Sequence, residues 1–285
     1  MPHHTLITTA ELSDHLSDHN CSIFDCRFNL NDAEEGRRLY EEAHIPGSLY
    51  VDLDADLSSE IIPGQTGRHP LPDREILAAK LRAWGVNQKD QVVIYDQYHG
   101  GLASRLWWLL KWLGHESVAV LDGGWLAWTT VAMPMTAEIP SQVEGNFDAQ
   151  VSHWMTTSAD KVQSLIGGGG GGCKLIDSRA AVRYSGIEEP LDPIAGHIPT
   201  AVNRPFLDNL NEQGHWKSRD QLRREWSTIL GECDASASII YCGSGVTACH
   251  NLLALSHAGF PPSVLYPGSW SEWITDAARP CVLPT

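Results

Sequence analysis

Apolar residues in this chain come in short runs broken by polar and turn residues. Residues 22–25, 91–95 and 117–121 are such runs, the pattern of strands buried on both faces of a parallel sheet. Residues 102–113 are apolar on nearly every side and stop at Gly114, which predicts a buried helix closed by a glycine cap. Further along, the pattern predicts a helix over 158–166, strands over 174–177 and 237–241, and a helix over 246–258 ahead of Gly259. Strands alternating with helices predict an α/β fold, a mainly parallel sheet with helices on both faces. Pro134, Pro140 and polar neighbours interrupt the pattern over 133–152, which predicts a linker. Six consecutive glycines at 167–172 predict a flexible surface loop. A phosphate-binding loop would need a following Lys-Ser/Thr and a helix, whereas here a strand follows.

The pattern repeats. Ser22-Ile23-Phe24-Asp25-Cys26-Arg27 resembles Lys174-Leu175-Ile176-Asp177-Ser178-Arg179, with the aspartates 152 residues apart. Ala43-His44-Ile45-Pro46-Gly47 matches Gly196-His197-Ile198-Pro199-Thr200, and Val92-Val93-Ile94-Tyr95-Asp96 matches Ser238-Ile239-Ile240-Tyr241-Cys242. Asp122-Gly123-Gly124-Trp125 matches Pro267-Gly268-Ser269-Trp270. Four anchors in one order predict a duplicated domain, one copy over 1–135 and the other over 153–285. His44 and His197 occur in both copies, which favours a structural role for each.

Composition narrows the function. The net charge of −15 repels phosphate backbones and argues against nucleic-acid binding. No run of 18 apolar residues exists, and the N-terminus carries no basic and apolar leader, so the expectation is a cytoplasmic protein with no membrane contact. Seven cysteines without a CxxC pair argue against a zinc site or a disulfide framework, and no metal is expected.

One cysteine stands apart. Where the first copy reads Asp96-Gln97-Tyr98-His99-Gly100-Gly101-Leu102-Ala103, the second reads Cys242-Gly243-Ser244-Gly245-Val246-Thr247-Ala248, one residue shorter. Cys242 is thus predicted at the C-terminal end of a parallel strand and just before a helix, where open α/β sheets bind ligands. A tight loop of small residues turns its N–H groups towards the sulfur, and the helix adds its positive end. Both favour the thiolate, whose free pKa is about 8.5. Gly243 and Gly245 allow the turn, and Ser244 and Thr247 add hydroxyls. A core cysteine is the plainer alternative, and a cysteine phosphatase would need an arginine where Ala248 stands.

The run Cys242–Ala248 resembles the active-site loop of the 3-mercaptopyruvate sulfurtransferases, within the tandem-domain rhodanese family. Both Asp-x-Arg strands, both His-Ile-Pro segments and both Gly-x-x-Trp segments share the resemblance. It implies two tandem rhodanese-like domains, the first catalytically inactive because Asp96 replaces the cysteine. It implies sulfur transfer through a Cys242 persulfide, from a small-molecule donor to a thiol acceptor, small or thioredoxin-like, or to cyanide, by a monomer that needs no cofactor. Arg183 resembles the family's clamp for the donor carboxylate, its alternative being an ion pair with Glu188 or Glu189. Ser244, His69 and Asp54 resemble a proton-relay set, and Gly243, Gly245, Val246, Thr247 and Ala248 would line the donor. The family's second substrate arginine has no counterpart in Glu188-Glu189-Pro190-Leu191-Asp192-Pro193, and Arg204 is a candidate replacement. Thiosulfate-preferring relatives carry basic residues directly after the cysteine. Gly243 and Ser244 supply no cation there, and Arg183 would hold the single charge of 3-mercaptopyruvate at a distance from the sulfur, which favours that donor, with thiosulfate as the alternative.

Overall fold

The structure, a computed structural model, describes residues 2–167 and 174–283. Most of the glycine run, with Cys173, lies outside the described residues. The chain divides into two compact units. The first holds Met1–Ser59, Pro72–His153 and Glu212–Trp216, and the second Glu60–Leu71, Trp154–Asn211 and Lys217–Thr285.

In the first unit, strands β1 (Leu6–Ile7), β2 (Cys21–Asp25), β3 (Ser48–Tyr50), β4 (Gln91–Tyr95) and β5 (Val118–Leu121) form one sheet in the order β1-β5-β4-β2-β3. Every pair is parallel. Alternate residues serve opposite faces. Ile23, Val93, Tyr95, Ala119 and Leu121 pack with Leu12 and Trp128, which belong to the helices Thr9–His15 and Gly124–Thr130. Phe24, which alternates with Ile23, meets Trp84 at the end of helix Arg74–Ala83, with ring centroids 5.6 Å apart. The helix Ala103–Trp112 is buried from Ala103 to Lys111. That accounts for its nearly unbroken apolar sequence, since a helix with no wet face has no use for a polar stripe.

In the second unit, β6 (Leu175–Asp177), β7 (Val202–Asn203), β8 (Ile239–Tyr241) and β9 (Val264–Leu265) form a parallel sheet in the order β7-β6-β8-β9. One face packs Leu175, Ile239 and Tyr241 with Val162, Trp270 and Trp273. The helix Ala248–His257 starts two residues later than the sequence pattern predicts, because Val246 and Thr247 are still part of the turn after β8. It ends ahead of Gly259, as the other buried helix ends ahead of Gly114; both glycines are left-handed, at φ +81° and +85°. The segment predicted as a linker contains no helix or strand over 137–153, but it is tied to the first unit. The N–H groups of Gly145, Phe147 and Gln150 donate to the carbonyls of Arg82, Val86 and Leu113.

A buried ion pair holds the end of the same strand in each copy. Arg27 Nη2 donates to Asp25 Oδ2 at 2.7 Å and to the Ala43 carbonyl at 2.7 Å. Arg179 Nη2 donates to Asp177 Oδ2 at 2.7 Å and to the Gly196 carbonyl at 2.7 Å. Each guanidinium also lies over a tryptophan, Trp125 at 4.5 Å and Trp270 at 4.8 Å. The recurring histidines are structural as well: His44 stacks on Tyr40 and His197 on Tyr184, with centroids 3.9 and 3.8 Å apart.

Among the described residues no helix is long and apolar enough to cross a membrane.

Removing one partner of such a pair leaves a charge stranded in the core. Asp25→Ala and Asp177→Ala are each expected to cost about 3–5 kcal/mol in urea unfolding. A loss below about 1 kcal/mol would mean that the pair behaves as an exposed one.

Candidate active site

The loops that follow β4 and β8 are built on one plan. In the first unit the N–H groups of Trp125 and Leu126 donate to the carbonyls of Asp96 and Gln97, at 2.8 and 3.0 Å. In the second, those of Trp270 and Ser271 donate to Cys242 and Gly243, at 3.0 and 2.9 Å. Asp96 and Cys242 therefore hold the same place. The Asp96 carboxylate accepts four backbone N–H groups, from Tyr98 (3.2 Å), Gly100 (2.9 Å), Leu102 (2.9 Å) and Ala103 (3.2 Å). The first unit thus fills its own anion cradle.

At Cys242, 1% exposed, the cradle meets sulfur instead. The Gly245 N–H donates to Sγ at 3.1 Å. Gly245 adopts φ +77°, and a Cβ on it would lie 2.3 Å from the Pro267 carbonyl oxygen, so both the turn and the space demand glycine. Val246 is buried, Thr247 half-buried, and Ala248, fully buried, opens the helix.

Ser244 does join His69. The two are 6% and 5% exposed, and Ser244 Oγ lies 2.7 Å from His69 Nδ1, the tautomer deciding which donates. His69 belongs to the second unit, through the excursion Glu60–Leu71. Asp54 belongs to the first. Its N–H donates to Asp52 Oδ1 at 2.8 Å, and desolvation, then the charge of Asp52, raises its carboxyl above the ordinary range.

Arg183 is both ion-paired and close to the loop. Its Nε donates to the two oxygens of Glu189 at 3.1 Å each, and Nη2 to Glu189 Oε1 at 2.7 Å and Asp192 Oδ2 at 3.1 Å. Its Nη1 and Nη2 lie 3.4 Å from where a Cβ on Gly243 would sit, and Arg68 Nη2 lies 2.9 Å from that point. Two guanidinium groups thus converge over Gly243, which has no side chain to keep them off: Arg183, expected there as the donor clamp, and Arg68, which the sequence did not single out. Arg68 is tied to Asp192, and its N–H donates to Ser271 Oγ at 3.1 Å. Arg204 lies in another cluster, with Nη2 2.6 Å from Glu225 Oε2.

The two carboxylates differ. Burial works against charge on Glu189, yet the hydrogen bonds from Arg183 and from the Leu191 and Asp192 N–H groups outweigh it and hold the carboxyl below the ordinary range. On Asp192 burial prevails over the attraction of Arg68 and Arg183, and the carboxyl is raised.

A rhodanese-like domain model matches residues 8–130 and again 158–276. The chain belongs to the rhodanese family. A Pseudomonas aeruginosa relative, provisionally named 3-mercaptopyruvate sulfurtransferase, is 47% identical over 276 residues, 96% of both chains. A Mycobacterium tuberculosis relative, provisionally named thiosulfate sulfurtransferase SseB, is 35% identical over 285 residues, 96% of this chain and 95% of that one. The solved structure of the 3-mercaptopyruvate sulfotransferase SseA from Escherichia coli is similar with a TM-score of 0.79 and 31% identity, covering 94% of this chain and 99% of that chain.

Sequence reasoning missed one rhodanese-loop residue that the repeat itself marks. Ser269 stands where the first copy has Gly124, and both are left-handed, at φ +56° and +58°. Serine tolerates this region poorly. Its hydroxyl accepts the Cys242 N–H at 3.1 Å and donates to the Tyr266 carbonyl at 2.9 Å, so a strained residue holds the backbone of the cysteine. Arg68 had no such marker, since only its place in the fold brings it to Gly243.

Replacing Ser269 separates strain from bonding. Both Ser269→Gly and Ser269→Ala leave the buried Cys242 N–H unpaired, but only glycine relieves the backbone. The glycine variant is expected to be more stable than the alanine variant by about 1–2 kcal/mol in thermal or urea unfolding, and both to lose activity. Equal stability of the two would remove the strain argument.

Proposed function

We propose that this rhodanese moves a sulfur atom from 3-mercaptopyruvate, through a persulfide on Cys242, to a thiol acceptor or cyanide, and releases pyruvate. The observation that carries this reading is the Cys242 sulfur in its N–H cradle, next to a glycine on which two guanidinium groups converge. The names of the Pseudomonas and Escherichia coli proteins point to the same donor.

The chemistry follows from the parts. The Cys242 thiolate attacks the donor sulfur. A sulfur–sulfur bond forms, the donor's carbon–sulfur bond breaks, and its electron pair leaves on the enolate of pyruvate, which takes up a proton. His69 and Ser244 are assigned to carry that proton, a reading supported by their 2.7 Å hydrogen-bond contact. An acceptor thiolate then attacks the outer sulfur and restores Cys242, the two halves making a ping-pong cycle. Asp54 is assigned a supporting part in the relay. Arg183 holds the donor carboxylate, and the turn from Gly243 to Ala248 forms the donor's bed. The first domain, with Asp96 in the cradle, has no cysteine at that place and is assigned no turnover. The acceptor is assigned as a thiol, small or thioredoxin-like, and the chain as a cytoplasmic monomer. Six free cysteines among the described residues suit a reducing compartment.

Charge favours this donor over thiosulfate, the donor in the mycobacterial relative's name. Arg68, Arg179 and Arg183 are balanced by Asp177, Glu189 and Asp192 in one connected cluster. A dianion would leave this balanced cluster more negative than a monoanion does.

Cys242→Ser is expected to abolish turnover of either donor while leaving the melting temperature nearly unchanged. Mass spectrometry of the donor-treated protein should place one added sulfur on Cys242; sulfur on Cys249 or Cys26 with an active Ser variant would sink the mechanism.

Side-by-side kinetics should give a kcat/KM at least about tenfold higher for 3-mercaptopyruvate than for thiosulfate, a gap of about 1.4 kcal/mol. Equal or better use of thiosulfate would make it the donor.

A further inference from the structure

His69 meets Ser244 from 175 positions away in sequence. The segment that carries it, Glu60–Leu71, lies open over much of its length. It is exposed from Glu60 to Gln65, where Ile62 and Thr66 close a turn: the Ile62 N–H donates to Thr66 Oγ1 at 3.0 Å, and the Thr66 N–H to the Ile62 carbonyl at 3.1 Å. Within the segment only Gly67 and His69 are buried. Between these two, the Arg68 N–H donates to Ser271 Oγ at 3.1 Å.

Ser271, 8% exposed, bonds in three directions. Its N–H donates to the Gly243 carbonyl at 2.9 Å, its hydroxyl accepts from Arg68, and the same hydroxyl donates to the Gly268 carbonyl at 3.3 Å. Its main chain thus holds the loop that carries Ser244, and its side chain holds the segment that carries His69. The repeat separates these duties. Leu126 has the same place in the first copy, and its N–H donates to the Gln97 carbonyl at 3.0 Å, yet its side chain is 55% exposed. The turn itself asks nothing of the side chain, so the buried hydroxyl of Ser271 serves the segment. Gly67 fits the same contact. A Cβ there would lie 2.5 Å from the Gly268 carbonyl oxygen and 2.7 Å from Ser271 Oγ, so only glycine lets the segment come this close.

We propose that Ser271 is a positioning residue for the proton relay: its hydroxyl, packed against Gly67, docks the segment in the one register that brings His69 Nδ1 to Ser244 Oγ. The inference rests on the relay assigned to His69 and Ser244. Ser271 moves no proton itself. Hydrogen bonds weaken steeply as their geometry degrades, and a displacement of about 1 Å is enough to slow a positioned reaction about a hundredfold. Without the hydroxyl the segment loses its register, while the Gly243 carbonyl keeps its main-chain bond and the cysteine loop stays in place.

The test combines hydrogen exchange with a double-mutant cycle, both on the full chain. In Ser271→Ala the backbone amides of the 60–71 segment are expected to exchange about fivefold faster or more, the loss of one hydrogen bond. With 3-mercaptopyruvate as donor, kcat is expected to fall about tenfold while KM changes far less. Ser271→Thr keeps the hydroxyl and should recover most of both effects. Gly67→Ala leaves Ser271 intact but crowds the contact, and it should reproduce the Ser271→Ala pattern. If Ser271 acts through His69, then Ser271→Ala should cost almost nothing further in kcat once His69→Asn is present. Unchanged exchange in the segment overturns the proposal. So does an undiminished loss on top of His69→Asn, or an unchanged kcat in Ser271→Ala where His69→Asn lowers it. Faster exchange in Ser271→Ala, with kcat untouched by that variant and by His69→Asn, would overturn the relay assignment and leave the docking contact standing.

Discussion

The constraint that both domains share is a turn after the central strand that aims backbone N–H groups inward, four of them at Asp96 in the first and that of Gly245 at Cys242 in the second. A turn this tight, leading into a helix buried on nearly every side, directs donors at a point that water does not reach. Those donors require an acceptor. The first domain supplies one permanently: the Asp96 carboxylate takes four N–H groups, including those of Leu102 and Ala103 at the start of the buried helix. The second domain places Cys242 there and shortens the loop by one residue. There the Gly245 N–H meets the Cys242 sulfur at 3.1 Å. One architectural demand is met by a carboxylate in one copy and a cysteine sulfur in the other.

The remaining features keep that loop in place. The Asp177–Arg179 pair holds the end of β6, the neighbour of β8, and ties it to the Gly196 carbonyl. Trp270 and Ser271 anchor the carbonyls of Cys242 and Gly243, while Ser269 accepts a left-handed backbone so that its hydroxyl can take the Cys242 N–H. Strain at Ser269 is tolerable because the buried N–H it satisfies would cost a comparable amount if left alone. Arg179 links this scaffold to the charged cluster, since it also reaches Glu189, the carboxylate that orients Arg183.

Much of this was legible along the chain. Short apolar runs, glycine stops and the doubled anchors revealed two parallel α/β domains, because burial on both faces of a sheet leaves a periodicity that survives without coordinates. The contrast of Asp96 with Cys242 singled out the candidate reactive residue. Strand and helix ends were read less well: the helix after the cysteine starts at Ala248 because the turn consumes Val246 and Thr247. The Gly124–Ser269 pair was present in the repeat and was read only as packing, since nothing in sequence reports a positive φ.

The sequence by itself determined the fold class, the duplication and the absence of a run of 18 apolar residues, and it singled out Cys242 as the candidate nucleophile, all read from local pattern or by comparing one half of the chain with the other. Only the tertiary structure decided which charges surround that nucleophile. Arg68 and His69 lie more than 170 residues before Cys242, in a segment of the first half that folds into the second unit, and no periodicity marks such an excursion. Sequence pointed to Arg183 through the family resemblance, but nothing along the chain pointed to Arg68. In the folded protein Gly243, having no side chain, leaves space that two distant guanidinium groups fill. Electrostatic environment is set by distance through space, which a linear pattern does not record.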